Sequence, residues 1–141
     1  MTIREIQEEI IEEFLMFDDW MQRYEHIIES GKALPKIAEE HKNEDHLIKG
    51  CQSRVWLHAE PQNDKLDFSA DSDAILTKGI IALLLRVYSG RTPEEILDTE
   101  PFFIEEIGLK EHLSPTRANG LLSMVKQIKL LALAQKARSN T

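Results

Sequence analysis

One stretch limits this chain more than any other: AILTKGIIALLLRVYSG, residues 74 to 90. Wound at helical spacing, it is apolar nearly all round instead of along one stripe. Such a helix has no face to give to water, so the rest of the chain has to surround it. Asp71, Ser72 and Asp73 stand just before it and are expected to cap its N-terminus through a side-chain oxygen. Ser89-Gly90 is its expected stop. Gly79 in its middle costs about 1 kcal/mol against alanine, and a close backbone contact with the neighbouring sheet is the expected reason.

The sheet itself comes from the preceding residues. In SRVWLHAEP, Val55, Leu57 and Ala59 alternate with Arg54, Trp56, His58 and Glu60, the period of a strand. PQND, residues 61 to 64, is a turn. Leu66, Phe68 and Ala70 alternate through KLDFSAD, which predicts a second strand and a hairpin. Two helices come first. Thr2 and Glu5 form a capping box ahead of a face made of Ile3, Ile6, Ile10, Phe14 and Phe17. Asp18 and Asp19 can cap the second helix, with Trp20, Tyr24, Ile27 and Ile28 inward and Gly31 as its stop. Residues 32 to 50, with Pro35 and EEHKNEDH, read as an irregular solvated segment. After the central helix, Thr92, Pro93 and Glu95 open a short helix. Ser114-Pro115 opens a long one with Ala118, Leu121, Leu122, Val125, Ile128 and Ala132 on one side. Helices, a hairpin, then helices predict an α+β fold, a small antiparallel sheet covered by helices, as a single domain over residues 1–141.

Charge narrows the function. With 25 acidic and 17 basic residues, the net charge of −8 lacks the clustered cations that phosphate binding requires, so nucleic acid is not an expected partner. The longest apolar run, Ile80 to Leu85, is too short to cross a bilayer, and MTIREIQEEI has no apolar segment of the kind a secretory signal carries. One cysteine cannot form an internal disulfide, which fits a reducing compartment. The expected location is cytoplasmic.

That cysteine lies in LIKGCQSRVWL, at the entry to the first strand. A lone cysteine is commonly an inert small hydrophobe. Here Gly50 allows unusual backbone geometry, and Lys49 and Arg54 supply positive charge that favours a thiolate. Three chemistries are open to it. A thiol hydrolase would pair Cys51 with one of His26, His41, His46, His58 or His112, none of which has a recognisable catalytic flank. A zinc-binding, scaffold-type module would use His41, His46 and Cys51, although the spacing matches no zinc signature. A sulfur carrier needs only the thiol, which takes sulfur from a partner's persulfide by the displacement logic of thiol–disulfide exchange. Such a thiol belongs on a loop that can turn it outward to react and inward for protection.

GCQSRVW, residues 50 to 56, resembles the SufE family, sulfur acceptors that work with a cysteine desulfurase in iron–sulfur cluster assembly. DWMQRYEHIIESGKAL (19 to 34), DSDAILTKGIIALLL (71 to 85) and LSPTRANGLLSM (113 to 124) resemble further blocks of that family in the same order. The resemblance implies a helix-covered sheet shared with the scaffold protein IscU. It implies that Cys51 accepts persulfide sulfur, that Gly50, Gln52 and Ser53 form the loop presenting it, and that Arg117 and Asp73 belong to the site. It also implies a SufS-like cysteine desulfurase as partner, stimulated by the transfer, and a Suf-type iron–sulfur scaffold complex downstream. Pyridoxal phosphate would reside in the desulfurase. This chain, with no glycine-rich phosphate loop, is expected to hold no cofactor or metal of its own and to be a partner, not an enzyme. One departure stands out: the family often has Asn where this chain has His46, whose imidazole is expected to point to solvent.

Overall fold

The computed structural model describes residues 1–139. Six α-helices and one hairpin make up the fold: α1 (Ile3–Leu15), α2 (Trp20–Ser30), β1 (Val55–Gln62), β2 (Lys65–Ser72), α3 (Ile75–Tyr88), α4 (Pro93–Asp98), α5 (Phe103–Glu106) and α6 (Pro115–Ser139). Short 3₁₀ turns at Gly31–Ala33, Glu39–His41 and Glu44–His46 carry the chain from α2 to β1. The α+β reading therefore holds, with a two-stranded antiparallel sheet.

α3 is the centre. Gly79 to Leu85, Val87 and Tyr88 are all buried, and its surroundings are supplied by α1, α2, α6 and the inner face of the hairpin. The hairpin pairs Val55 with Ser72 and Gln62 with Lys65. Its alternation is as expected: Val55, Leu57, Leu66, Phe68 and Ala70 are buried. The strands run further than the sequence suggests. Pro61 and Gln62 still pair, leaving a two-residue turn in which Asn63 takes φ +59°, a left-handed conformation that asparagine tolerates.

Local signals account for most helix boundaries. Thr2 and Glu5 close a capping box on α1, Thr92 and Glu95 close one on α4, and Asp19 caps α2. Two expectations fail. Asp71, Ser72 and Asp73 do not cap α3: its N-cap is Ala74, without a side-chain hydrogen bond. β2 runs through Ser72, so these side chains are committed elsewhere, Asp71 to ion pairs with Lys42 at 2.6 Å and Lys78 at 3.4 Å. Gly31 does end α2, as its C-cap, with φ −62° as the chain tightens into a 3₁₀ turn. Gly79 meets α2, not the sheet. A Cβ there would lie 2.0 Å from the Ile27 carbonyl oxygen, and one on Gly31 would lie 3.2 Å from the Gly79 nitrogen. The two glycines let α2 and α3 pack backbone to backbone.

On α6, Ala118, Leu121, Ile128 and Ala132 are buried as expected, with Val125 packed at the edge of the core. Leu122 instead faces out at 51% exposure, and Met124 takes an inward position. The four-residue α5 carried no legible periodicity.

Candidate functional site

The loop from Lys49 to Arg54 is tied at its base and again where it enters the hairpin. The Ile48 N–H donates to the Val55 carbonyl at 2.8 Å. Arg54 N–H donates to the Asp73 carboxylate at 3.0 Å, and Asp73 N–H donates back to the Arg54 carbonyl at 3.2 Å. Ser72 Oγ–H donates to the same carbonyl at 2.8 Å. Asp73 and Ser72 thus hold the loop's exit, which is what their side chains do in place of capping α3.

Between these ties the loop lies on the first half of α6. Gly50 has φ +91°, a left-handed region costly to any residue with a Cβ. Its backbone also passes so close to α6 that a Cβ would meet Ser123 Oγ at 2.5 Å. Cys51 follows. Its Sγ–H points at the Gly120 carbonyl, 3.5 Å away, and a Cβ on Gly120 would sit 3.5 Å from the sulfur. Gly120 and Ser123, one turn apart, give the loop a flat seat. Sequence reasoning missed both; their small size at spacing three on a helix, in NGLLS, was the available signal.

The thiol is half-buried. It borders a small cavity of about 40 Å³ lined by Gln52, Ser53, Thr77, Arg117, Gly120 and Met124, among others. Burial pushes its pKa above the ordinary thiol value. Lys49 and Arg54, both exposed, were expected to favour the thiolate; in this docked conformation the loss of solvation decides instead. Arg117 is brought to the thiol's cavity from the first turn of α6, where the Ser114 hydroxyl accepts from its N–H at 3.3 Å. Asp73 is exposed and acts on the loop backbone, not as part of the cavity lining.

No histidine lines the Cys51 cavity. His26 bonds Glu13 at 3.0 Å, and His112 stacks on Trp20 with ring centroids 3.8 Å apart. The other three cluster together: among the described residues His41, His46 and His58 place one ring nitrogen each within 4.8 Å of one another. His46 is therefore not a solvent-facing substitute; it contacts His58 at 3.1 Å. Of the alternative set His41, His46 and Cys51, the two histidines do lie together, but the third member of their group is His58 from β1 and not Cys51.

Comparison with known proteins agrees with this architecture. The family model for SufE, the Fe-S metabolism associated domain, matches residues 8–132. A SufE-like protein of Rhizobium etli is 44% identical over 127 residues, covering 86% of each chain. One from Rhizobium meliloti is 40% identical over 127 residues, covering 86% of this chain and 91% of its own. One from Synechocystis is 39% identical over 125 residues, covering 89% and 79%. The solution structure of a hypothetical protein from Thermus thermophilus superposes with a TM-score of 0.76 at 22% identity, covering 95% of this chain and 96% of that one, which is a likeness of fold. Built around a buried α3, with a cysteine loop that starts at a left-handed glycine and is seated on α6, and with a match along most of its length, this chain belongs to the SufE family of Fe–S metabolism proteins.

Proposed function

We propose that this protein is a sulfur carrier: Cys51 takes the terminal sulfur of a persulfide on a SufS-like cysteine desulfurase and passes it to a Suf-type cluster-assembly scaffold. The observation that supports this best is the seat of Cys51. A thiol held by one weak hydrogen bond to a carbonyl, on a loop that starts at a left-handed glycine, is sheltered at rest and released by a local movement.

At rest, burial keeps the sulfur protonated and poorly nucleophilic, which guards it against oxidation. When the segment from Gly50 to Ser53 lifts from α6, the sulfur gains solvent, its pKa falls back toward the ordinary thiol value, and its proton passes to water. The Cys51 thiolate then attacks the outer sulfur of the partner's R–S–SH. A bond forms between that sulfur and Cys51 Sγ, the donor's S–S bond breaks, and R–S⁻ leaves. Two sulfur–sulfur bonds are exchanged one for one, so no external oxidant or reductant is consumed. The departing thiolate is the desulfurase's regenerated nucleophile, which is how the carrier raises its partner's turnover. Arg117 at the rim supplies a fixed positive charge to hold the anionic persulfide.

The test is whole-protein mass spectrometry after incubation with a cysteine desulfurase and cysteine. Wild type gains one sulfur atom on Cys51 and stimulates the desulfurase, Cys51→Ser does neither, and Arg117→Ala gains sulfur more slowly. A Cys51→Ser protein that still accepts sulfur and stimulates turnover as wild type does would overturn the reading.

A further inference from the structure

The histidine cluster lies apart from the residues that line the Cys51 cavity. His41 and His46 come from successive 3₁₀ turns and His58 from β1. Their other hydrogen bonds fix which nitrogens carry protons. The Asn43 side chain is oriented by two backbone contacts: its Nδ2 donates to the Glu40 carbonyl at 2.9 Å and its Oδ1 accepts from Asp45 N–H at 3.1 Å. The same Oδ1 lies 2.8 Å from His46 Nδ1, so that nitrogen is the donor. The Glu60 carboxylate lies 2.9 Å from His58 Nε2, so that nitrogen is also a donor. A neutral imidazole carries one N–H. His46 Nε2 and His58 Nδ1 are thus left with bare lone pairs, and these two atoms face each other at 3.1 Å.

Two lone pairs at that distance repel unless a cation lies between or beside them. We propose that His41, His46 and His58 form a binding site for a divalent transition-metal ion of the zinc class. Bare imidazole nitrogens about 2.0–2.1 Å from tetrahedral zinc stand about 3.3 Å apart, close to the 3.1 Å seen here, and His41 offers the third nitrogen within 4.8 Å. Glu60 and Asn43 occupy the places of the oxygen acceptors that orient metal-bound histidines. The surrounding segment adds negative potential through Glu39, Glu40, Glu44 and Asp45. Three imidazoles select a borderline metal over magnesium or calcium. Three protein ligands leave a fourth position for water or for a group on a partner.

The probe is zinc alone, titrated into the full chain after chelator treatment and desalting, and followed by competition with a chromophoric chelator. One equivalent binds with a Kd of about micromolar or tighter. His46→Ala and His58→Ala, with unchanged far-ultraviolet circular dichroism, each weaken binding by more than about a hundredfold, and Glu60→Gln by about tenfold. Cys51→Ser leaves it unchanged. Cobalt(II) bound to wild type gives the visible bands of a tetrahedral nitrogen site, a readout that needs no variant. Absence of stoichiometric zinc in folded wild type, loss of zinc with Cys51→Ser, or a thiolate-to-cobalt charge-transfer band would each overturn the proposal.

Discussion

Asp73 and Arg54 exchange two hydrogen bonds, carboxylate to amide at 3.0 Å and amide to carbonyl at 3.2 Å, and so fix the exit of the cysteine loop to the end of the hairpin. Only the first depends on the side chain. Asp73→Ala removes a charge-assisted bond worth about 1 kcal/mol in this exposed setting. The loop then opens more often while the core, which Asp73 does not enter, is unchanged. Alkylation of Cys51 by iodoacetamide is expected to rise about fivefold, with the thermal midpoint shifted by no more than about 3 °C. An unchanged alkylation rate would show that the clamp does not govern access to the thiol.

Gly50 carries two constraints that substitution can separate. Alanine at φ +91° costs about 1–2 kcal/mol of backbone strain, and its Cβ meets the Ser123 hydroxyl at 2.5 Å. The hydroxyl can rotate away, but the strain cannot be relieved while the loop stays seated. Gly50→Ala is expected to raise Cys51 alkylation by about tenfold or more, and adding Ser123→Gly should recover only part of the docking. Full recovery in the double variant would mean that contact with α6, and not φ, requires the glycine.

Gly79 is a different case, because backbone is what it meets. A Cβ 2.0 Å from the Ile27 oxygen and 2.6 Å from its carbon leaves no atom free to rotate away. Gly79→Ala forces α2 off α3, at a cost of about 3 kcal/mol or more, against the gain of about 1 kcal/mol that alanine brings to an open helix. Gly31→Ala, whose nearest neighbour would be at 3.2 Å, costs about 1 kcal/mol. Chemical denaturation of the two variants should preserve that order. Equal midpoints would contradict the backbone contact.

These glycines mark what sequence alone conveys. Gly79 in an apolar run announces that something approaches, but the approaching partner is Ile27, and nothing near residue 79 says so. Asp71, Ser72 and Asp73 look the same whether they cap a helix or close a strand; Lys42, distant in sequence, draws Asp71 into the strand reading. The alternation of Val55, Leu57, Leu66 and Phe68 needed no distant partner, and it read correctly. The cysteine loop was legible as a motif, whereas its seat on Gly120 and Ser123 depends on a helix about 70 residues later. The grouping of His58 with His41 and His46 required the register of β1 against the preceding turns, a tertiary fact. Arg117, placed at the site by family resemblance alone, does border the thiol's cavity, while Asp73 meets the loop from its backbone side.

The raised pKa of Cys51 links loop docking to pH, and the sign follows from burial. The docked thiol has a higher pKa than the undocked one, since only the neutral form tolerates the seat. Docking stability is therefore fully present below the undocked value, about 8.5, and is lost as pH rises through the higher docked value. Alkaline solution should release the loop while the core stays folded. Iodoacetamide reacts with the thiolate, so its rate for wild type should rise to a midpoint above that of an ordinary cysteine. In Gly50→Ala, where the loop is already displaced, the midpoint should fall back toward about 8.5. Coincident midpoints in the two proteins, or a wild-type midpoint below the variant's, would mean that the seat on Gly120 does not hold the sulfur protonated, and the sheltering step of the carrier cycle would have to be abandoned.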